Sequence, residues 1–247
     1  MTSGKPDIKE GLYFAEELGA DDLRVQQQLP LHGANQFPAS PSELKQAVLD
    51  YMAAMVTLGH ALLKGIALSL ALPPDFFQAH YTAQPTTLFR IFNYPVPESF
   101  EYHGEAQLFG VGEHTDYGLL TILKQDDCGG LQVKLPTGWI EAPVIPNTFV
   151  VNLGDMLDRI TQGLYRSTPH RVQNKAGRAR LSFPFFFDPS WQAVVRPIEG
   201  LSKLECYDEQ STRWDDEDPR DYEGEYGSYL TAKVSKVFPA LFATLSN

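Results

Sequence analysis

Between residues 40 and 72 the apolar positions recur at helical spacing. Val48, Met52, Met55, Leu58 and Leu62 fall on one face. Ser40-Pro41-Ser42-Glu43 predicts the helix start, with serine as N-cap, proline in the first turn and glutamate three residues after the cap. Pro73-Pro74 ends the pattern. The predicted helix has about 30 residues and a length of roughly 45 Å, with Gly59 and Gly65 as candidate bends. A shorter helix is expected over 75–81. From Thr86 the period changes to short strand-like runs at 87–94, 106–111, 119–124, 130–134, 148–153, 167–173, 179–187 and 193–197. Turn residues separate them, among them Asp127, Gly129, Pro136-Thr-Gly138 and Pro146-Asn147. About eight short strands at this spacing predict a sandwich or barrel. Residues 155–162 read as a helical turn within the series. Helical spacing returns over 228–245 through Leu230, Val234, Val237, Phe238 and Leu241. Residues 1–39 read as loops with at most one short element, and 214–226 as an acidic surface loop or lid.

This order predicts one domain over 1–247, mainly β with flanking helices. Residues 1–85 form a helical N-terminal support region, 86–200 the β-core, and 201–247 the acidic loop and C-terminal helix. Hydrophobic residues make up 43% and charged residues 21%, which excludes a mainly disordered chain. The net charge of −11 disfavours nucleic acid and anionic membrane surfaces. It leaves room for an anionic small molecule in a locally positive pocket. Two cysteines, Cys128 and Cys206, are too few for a disulfide framework. No run approaches the 18 apolar residues of a membrane span, and the first residues lack the order of a signal peptide. The expectation is a cytoplasmic monomer that acts on a small molecule, with neither nucleic acid nor membrane as partner.

Candidate chemistry begins with the six histidines. His60 lies in an apolar helix, and His32 and His80 among loop or helix-end residues, so structural or surface roles suit them. His114-Thr-Asp116 differs. On an extended strand, residues i and i+2 share a face, about 7 Å apart at Cα. An imidazole and a carboxylate would then converge on one metal, with His170 as third ligand. Two histidines and a carboxylate form the facial triad of non-haem Fe(II), which leaves coordination positions open. By itself His-x-Asp is weak evidence, and His103-Gly-Glu105 is a chemically legitimate competitor. That competitor lies in a loop-like stretch, whereas His114 leads toward a strand. Ten residues after His170 stands Arg180-Leu-Ser182. A guanidinium fork and a hydroxyl on one strand face suit a carboxylate, although a surface Arg-Ser pair would read the same.

Four segments together resemble one family. They are Gly112-Glu-His114-Thr-Asp116-Tyr-Gly118-Leu-Leu-Thr121, Asn152-Leu-Gly-Asp155-Met, Ser167-Thr-Pro-His170-Arg-Val and Arg180-Leu-Ser182-Phe-Pro-Phe-Phe-Phe187. Over roughly residues 87–190 they are similar to the 2-oxoglutarate- and Fe(II)-dependent dioxygenases. The branch is that of isopenicillin N synthase, and the wording resembles its iron/ascorbate oxidoreductase group. The resemblance implies a double-stranded β-helix, or jelly roll. It implies His114, Asp116 and His170 as iron ligands, and Arg180 and Ser182 as partners of the distal carboxylate of 2-oxoglutarate. Tyr94, in Arg90-Ile-Phe-Asn-Tyr94-Pro95, falls on a tyrosine that also touches the oxoacid, with core packing as the rival role. Phe92 stands where the family has asparagine. Phe186, six residues after Arg180, falls on a substrate-contacting aromatic, provided that Pro184 does not bulge the strand and flip its parity. Asn152 and Asp155 are expected to order a turn. Family members carry a longer N-terminal region, so a shortened N-terminus is implied.

The implied reaction consumes O2 and 2-oxoglutarate and releases succinate and CO2 while a small organic molecule is oxidised, by default hydroxylated. Ascorbate is a candidate reductant. Three alternatives remain open on these residues: an Fe(II) oxidase of the same fold that does not use 2-oxoglutarate, a Zn(II) hydrolase, and a non-catalytic barrel.

Overall fold

The computed structural model of the chain describes residues 7–96, 109–201 and 221–237. In chain order the elements are β1 (Glu10–Ala15), α1 (Leu23–Gln26), α2 (Leu44–Ser69), α3 (Phe76–His80), β2 (Pro85–Tyr94), β3 (Val111–His114), β4 (Leu120–Gln125) and β5 (Leu131–Leu135). They continue with β6 (Gly138–Glu141), β7 (Val150–Leu153), α4 (Asp155–Ile160), β8 (His170–Val172), β9 (Arg180–Ser190), β10 (Val194–Val195), β11 (Gly224–Glu225) and α5 (Tyr226–Val237). One antiparallel sheet has the order β1-β2-β9-β4-β7, a second β3-β8-β5-β6, and β10 and β11 form a two-stranded antiparallel pair. The non-sequential strand orders and antiparallel pairing of the first two are those of a jelly roll.

Strand β9 lies at the centre of the larger sheet, and its alternation divides the molecule. Phe185 and Phe187 point outward and are fully buried under α2. Val48, Met52, Met55 and Leu63 of α2 join the same core. The close approach depends on Gly59, where a Cβ would come within 2.7 Å of the Phe187 ring. By length and composition α2 could cross a bilayer. Its apolar stripe is instead buried on the sheet, as in the core helix of a globular domain.

The opposite face of β9, from Arg180 through Ser182, Pro184 and Phe186 to Asp188, lines a cavity of about 440 Å³. A second apolar cluster, of Phe92, Tyr94, Val111, Leu123, Leu131 and Val172, packs between the sheets. Leu230 and Val234 of α5 line another side of the cavity.

Pro184 produces no register shift. The β2–β9 register runs unbroken in count from Leu88↔Phe186 to Tyr94↔Arg180, and the β4–β9 register from Leu120↔Phe187 to Gln125↔Ser182. The missing N–H of Pro184 accords with the absence of paired residues opposite it, at Arg90 and Ile91 of β2. The one register shift in β2–β9 lies farther along, between Pro85 and Thr86.

Several boundaries differ from those expected. Helix α2 begins at Leu44, not after Ser40, because residues 41–43 form a turn in which the Leu44 N–H donates to the Pro41 carbonyl. Glu43 is the N-cap and makes no side-chain cap bond. The N-terminal region is not purely helical and loop: β1 pairs along β2 from Glu10↔Asn93 to Ala15↔Leu88. Strand β6 was not foreseen, and β3 lies at Val111–His114, sharing only Val111 with the described part of the run expected over 106–111. Residues 97–108, 202–220 and 238–247 fall outside the described residues. So, therefore, do His103, Cys206, most of the acidic loop and the end of the last predicted helix.

Candidate metal and oxoacid site

Cross-strand pairing brings the two histidines together. His114 ends β3 and pairs with His170 at the start of β8, and their ring centroids are 4.2 Å apart. Each Nδ1 faces a backbone carbonyl, that of Gly112 at 2.8 Å for His114 and that of Thr168 at 3.1 Å for His170. A carbonyl can only accept, so Nδ1 carries the proton and Nε2 keeps its lone pair.

Asp116 is not on the strand, contrary to expectation. It lies in the segment after β3, and that segment turns its carboxylate back toward the histidines. Oδ1 lies 3.8 Å from His114 Nε2, and Oδ2 lies 3.6 Å from His170 Nε2. All three ligand atoms lie within 4.8 Å of one another. With metal–ligand bonds of about 2.1 Å, two ligands of one ion can be up to about 4.2 Å apart. Both carboxylate–imidazole distances fall within that limit, and two histidines with one carboxylate are the donor set of the Fe(II) facial triad.

The larger sheet fixes Asp116. Thr121 of β4 pairs directly with Asn152 of β7. The Thr121 hydroxyl and the Asn152 amide each donate to Asp116 Oδ2 at 2.6 Å. Asn152 thus does more than order a turn. Asp155 supports the same loop, its N–H donating to the Asp116 carbonyl at 2.8 Å.

Burial, then repulsion from His170, pushes His114 down to about 4. Burial opposes the Asp116 charge, but the fields of His170 and His114 and the two hydrogen bonds outweigh it and hold the carboxyl below its ordinary range. A neutral His114 imidazole beside an ionised Asp116 carboxylate is the protonation state that a metal requires.

Arg180, at the start of β9, is fully buried. Its Nε donates to the Gly129 carbonyl at 2.6 Å and its Nη2 to Gln125 Oε1 at 3.3 Å. Its Nη1 has no partner. A buried guanidinium with an open donor is costly unless an anion meets it, and here it borders the metal cavity. Ser182, two residues on, is buried on the same face, and its hydroxyl lies 3.5 Å from that of Tyr94. Tyr94 pairs with Arg180 across the strands, and its ring centroid is 5.0 Å from the guanidinium carbon. Burial raises the Tyr94 phenol, so it stays a neutral hydroxyl. Tyr94 therefore combines the two roles weighed for it, core packing and a polar contact in the cavity. Phe186 lines the cavity while Phe185 and Phe187 do not. It pairs with Thr121, the residue that holds Asp116.

The other described histidines, His32, His60 and His80, lie outside the cavity lining. His60 stands edge-on to Phe187, and His32 edge-on to Trp191. A second carboxylate and thiol cluster, Asp126, Asp127 and Cys128, is engaged internally. Asp126 accepts from the Cys128 and Leu181 amides, and Asp127 from Arg178.

Residues 86–189 match the family model of the 2OG-Fe(II) oxygenase superfamily. A probable iron/ascorbate oxidoreductase of Dictyostelium discoideum is 49% identical over 260 residues, covering 98% of this chain and 71% of the relative. The chain belongs to the 2OG-Fe(II) oxygenase superfamily. A homoarginine-6-hydroxylase of rice is 38% identical over 205 residues, covering 81% of the chain and 61% of that relative. Among solved structures, a full-length Neurospora crassa protein in complex with α-KG and thymine superposes with a TM-score of 0.75 at 29% identity. That match covers 96% of this chain and 67% of the other. Like the family, the chain is an Fe(II)- and 2-oxoglutarate-dependent oxygenase with a jelly-roll core. The foreseen ligands, Arg180, Ser182, Tyr94 and Phe186 all border one cavity. Sequence reasoning missed the Thr121–Asn152 clamp and Arg90. Each had a faint signal, since Thr121 and Asn152 stand inside family-like motifs and Arg90 opens the segment that ends in Tyr94-Pro95, but nothing in the sequence marked their partners.

Proposed function

We propose that this chain hydroxylates a small organic molecule, with His114, Asp116 and His170 holding Fe(II), Arg180, Ser182 and Tyr94 holding 2-oxoglutarate, and Phe186 facing the substrate. The observation that carries this reading is the pairing of a three-ligand cluster with a buried, open-ended guanidinium in one cavity. Iron bound there supplies O2 activation coupled to decarboxylation of 2-oxoglutarate to succinate and CO2, with one oxygen atom passing to the substrate.

The protein's own part is positioning. Thr121 and Asn152 hold the Asp116 carboxylate, and the Gly112 and Thr168 carbonyls hold the two rings in the ligating tautomer. Arg180 Nη1 meets the distal carboxylate, and Gly129 and Gln125 prevent the guanidinium from swinging. Ser182 and Tyr94 add hydroxyl donors. Phe186, Leu230 and Val234 present apolar surface that excludes water and packs the substrate. Membership of the isopenicillin N synthase-like branch is part of this reading and rests on the His114-Thr-Asp116-Tyr-Gly wording. A reducing, cytoplasmic setting suits ferrous iron and the free Cys128 thiol.

The test is succinate formation from 2-oxoglutarate, in air and under nitrogen, with Fe(II) supplied. Wild type should form succinate only in air, and His114→Ala, Asp116→Ala and His170→Ala should each abolish it. His103→Ala should not. A folded but inactive His103→Ala protein beside an active His114→Ala protein would overturn the ligand assignment. Absence of O2 consumption and of succinate, with conversion of a substrate retained under nitrogen, would favour a hydrolase.

A further inference from the structure

Arg90 is a cavity charge to which the proposed function gives no role. It projects from β2 opposite Tyr13 of β1. Its guanidinium carbon is 4.6 Å from the Phe186 ring centroid, 5.2 Å from that of Tyr13 and 5.9 Å from that of Phe92. These rings take its faces. In-plane N–H donors cannot be satisfied by ring faces alone. Among the described residues the Arg90 guanidinium makes no hydrogen bond and no ion pair, although its field reaches Asp188.

The other charged groups that border the cavity each have at least one partner, although Asp188 Oδ1 and Arg180 Nη1 have none. Lys9 Nζ is 3.1 Å from Asp7 Oδ2. Glu10 accepts from Asn93 at the rim, Asp188 accepts the Tyr226 hydroxyl, and Asp116 is held by Thr121 and Asn152. Arg180 is assigned to the oxoacid. Loading balances the inner end: the charges of Fe(II) and Arg180 offset those of Asp116 and the dianionic 2-oxoglutarate. Arg90 is the cation left over; the two remaining carboxylates, Glu10 and Asp188, accept from the neutral Asn93 amide and Tyr226 hydroxyl, and neither forms an ion pair with it, although Asp188 lies within its field. The strand register places Arg90 between the Phe186 row and the Ser182 row, alongside both substrate and cosubstrate positions.

We infer that Arg90 binds a carboxylate of the substrate, with Phe186 and Tyr13 packing the body attached to it. The inference rests on the proposed function above, in which Phe186 faces the substrate. It narrows the substrate class to small carboxylic acids with an apolar or planar part next to the acid group. The guanidinium fork meets a carboxylate with two parallel N–H donors, and flanking rings that fix its plane make that geometry specific.

The test uses two matched probe pairs, benzoate with benzamide and cyclohexanecarboxylate with its amide. Binding is followed by ligand-observed NMR on the 247-residue chain loaded with Zn(II) and 2-oxoglutarate. Wild type should bind the acids at least about tenfold more tightly than the amides. Arg90→Gln should erase that preference, and Arg90→Lys should keep part of it. Anaerobic Fe(II) and 2-oxoglutarate titration of the same proteins separates the two failures. If wild type does not load, the proposed function fails. If wild type and Arg90→Gln load alike but bind acids and amides alike, this inference alone fails. Failure of the loaded wild type to bind either acid overturns it as well. Loss of 2-oxoglutarate binding in Arg90→Gln would assign Arg90 to the cosubstrate and overturn it too.

Discussion

Arg180→Met tests whether the buried guanidinium is present for the cosubstrate or for the fold. Methionine keeps much of the volume and removes the charge. In the metal-loaded protein without 2-oxoglutarate, two effects oppose each other. The change deletes a buried charge whose Nη1 is unpaired, which relieves a penalty. It also strips the Gly129 carbonyl of its 2.6 Å donor, worth about 1–3 kcal/mol if the carbonyl stays unsatisfied. The net change in stability should therefore be small. Cosubstrate binding should change much more, because a charge-assisted contact of about 1.5–3 kcal/mol corresponds to roughly 10–150-fold in affinity. At a 2-oxoglutarate concentration of about 100 times the wild-type Kd, ligand stabilises wild type by about 2.7 kcal/mol. The same concentration should stabilise Arg180→Met by only about 0.3–1.4 kcal/mol. Thermal denaturation with and without 2-oxoglutarate reads both quantities. Equal ligand-induced stabilisation in the two proteins would refute the reasoning. So would a variant strongly destabilised without ligand, since Arg180 would then be a structural residue.

Three further outcomes follow from the same geometry. Asn152→Ala and Thr121→Ala each remove a 2.6 Å bond to Asp116 Oδ2 and should weaken metal binding about 10–100-fold, measured by competition with a chelator. Phe186→Ala should leave Fe(II) and 2-oxoglutarate binding nearly unchanged but lower the extra succinate formed when a stimulating carboxylate is added; undiminished stimulation would return this ring to a packing role. Burial pushes the Asp188 carboxyl up to about 7, above its unfolded value. Its contribution to stability is thus full below about pH 4 and is lost as pH rises to about 7, at a cost of about 4 kcal/mol at most. Asp188→Asn, which keeps an acceptor for Tyr226, should melt several degrees above metal-free wild type at pH 8, and the gap should close toward pH 4; a gap independent of pH would contradict the assignment.

The alternation along β9 was legible because it is a property of consecutive residues. Arg180, Ser182 and Phe186 share a face wherever the strand pairs, so long as Pro184 adds no bulge. Helix α2 was legible for a similar reason, its stripe repeating from Val48 to Leu62. What escaped depended on pairing between distant segments. β1 has Glu10 and Gly11 at its start and four of its six residues exposed, so little in its pattern marks a strand. It exists because β2 offers it an edge. β6 is four residues long and mostly exposed, and it is held by β5. Asp116 was assigned to the right chemistry on the wrong backbone, because spacing alone cannot separate a strand from a turn that folds back. Arg90 reads as an ordinary polar residue of a half-buried strand. Only Tyr13, 77 positions before it, and Phe186, 96 positions after it, give it a setting. Thr121 and Asn152 likewise gain their meaning from the β4–β7 register.

The central claim is that one cavity holds Fe(II) through His114, Asp116 and His170, and 2-oxoglutarate through Arg180. Anaerobic titration of the protein with Fe(II) and then 2-oxoglutarate, followed by visible absorption, tests it most directly. A metal-to-ligand charge-transfer band should grow to a 1:1:1 end point in wild type. It should be absent in His114→Ala, and in Arg180→Met it should require a concentration about 10–150-fold higher. No band in wild type at saturating concentrations, or bands of equal affinity in wild type and Arg180→Met, would contradict the account.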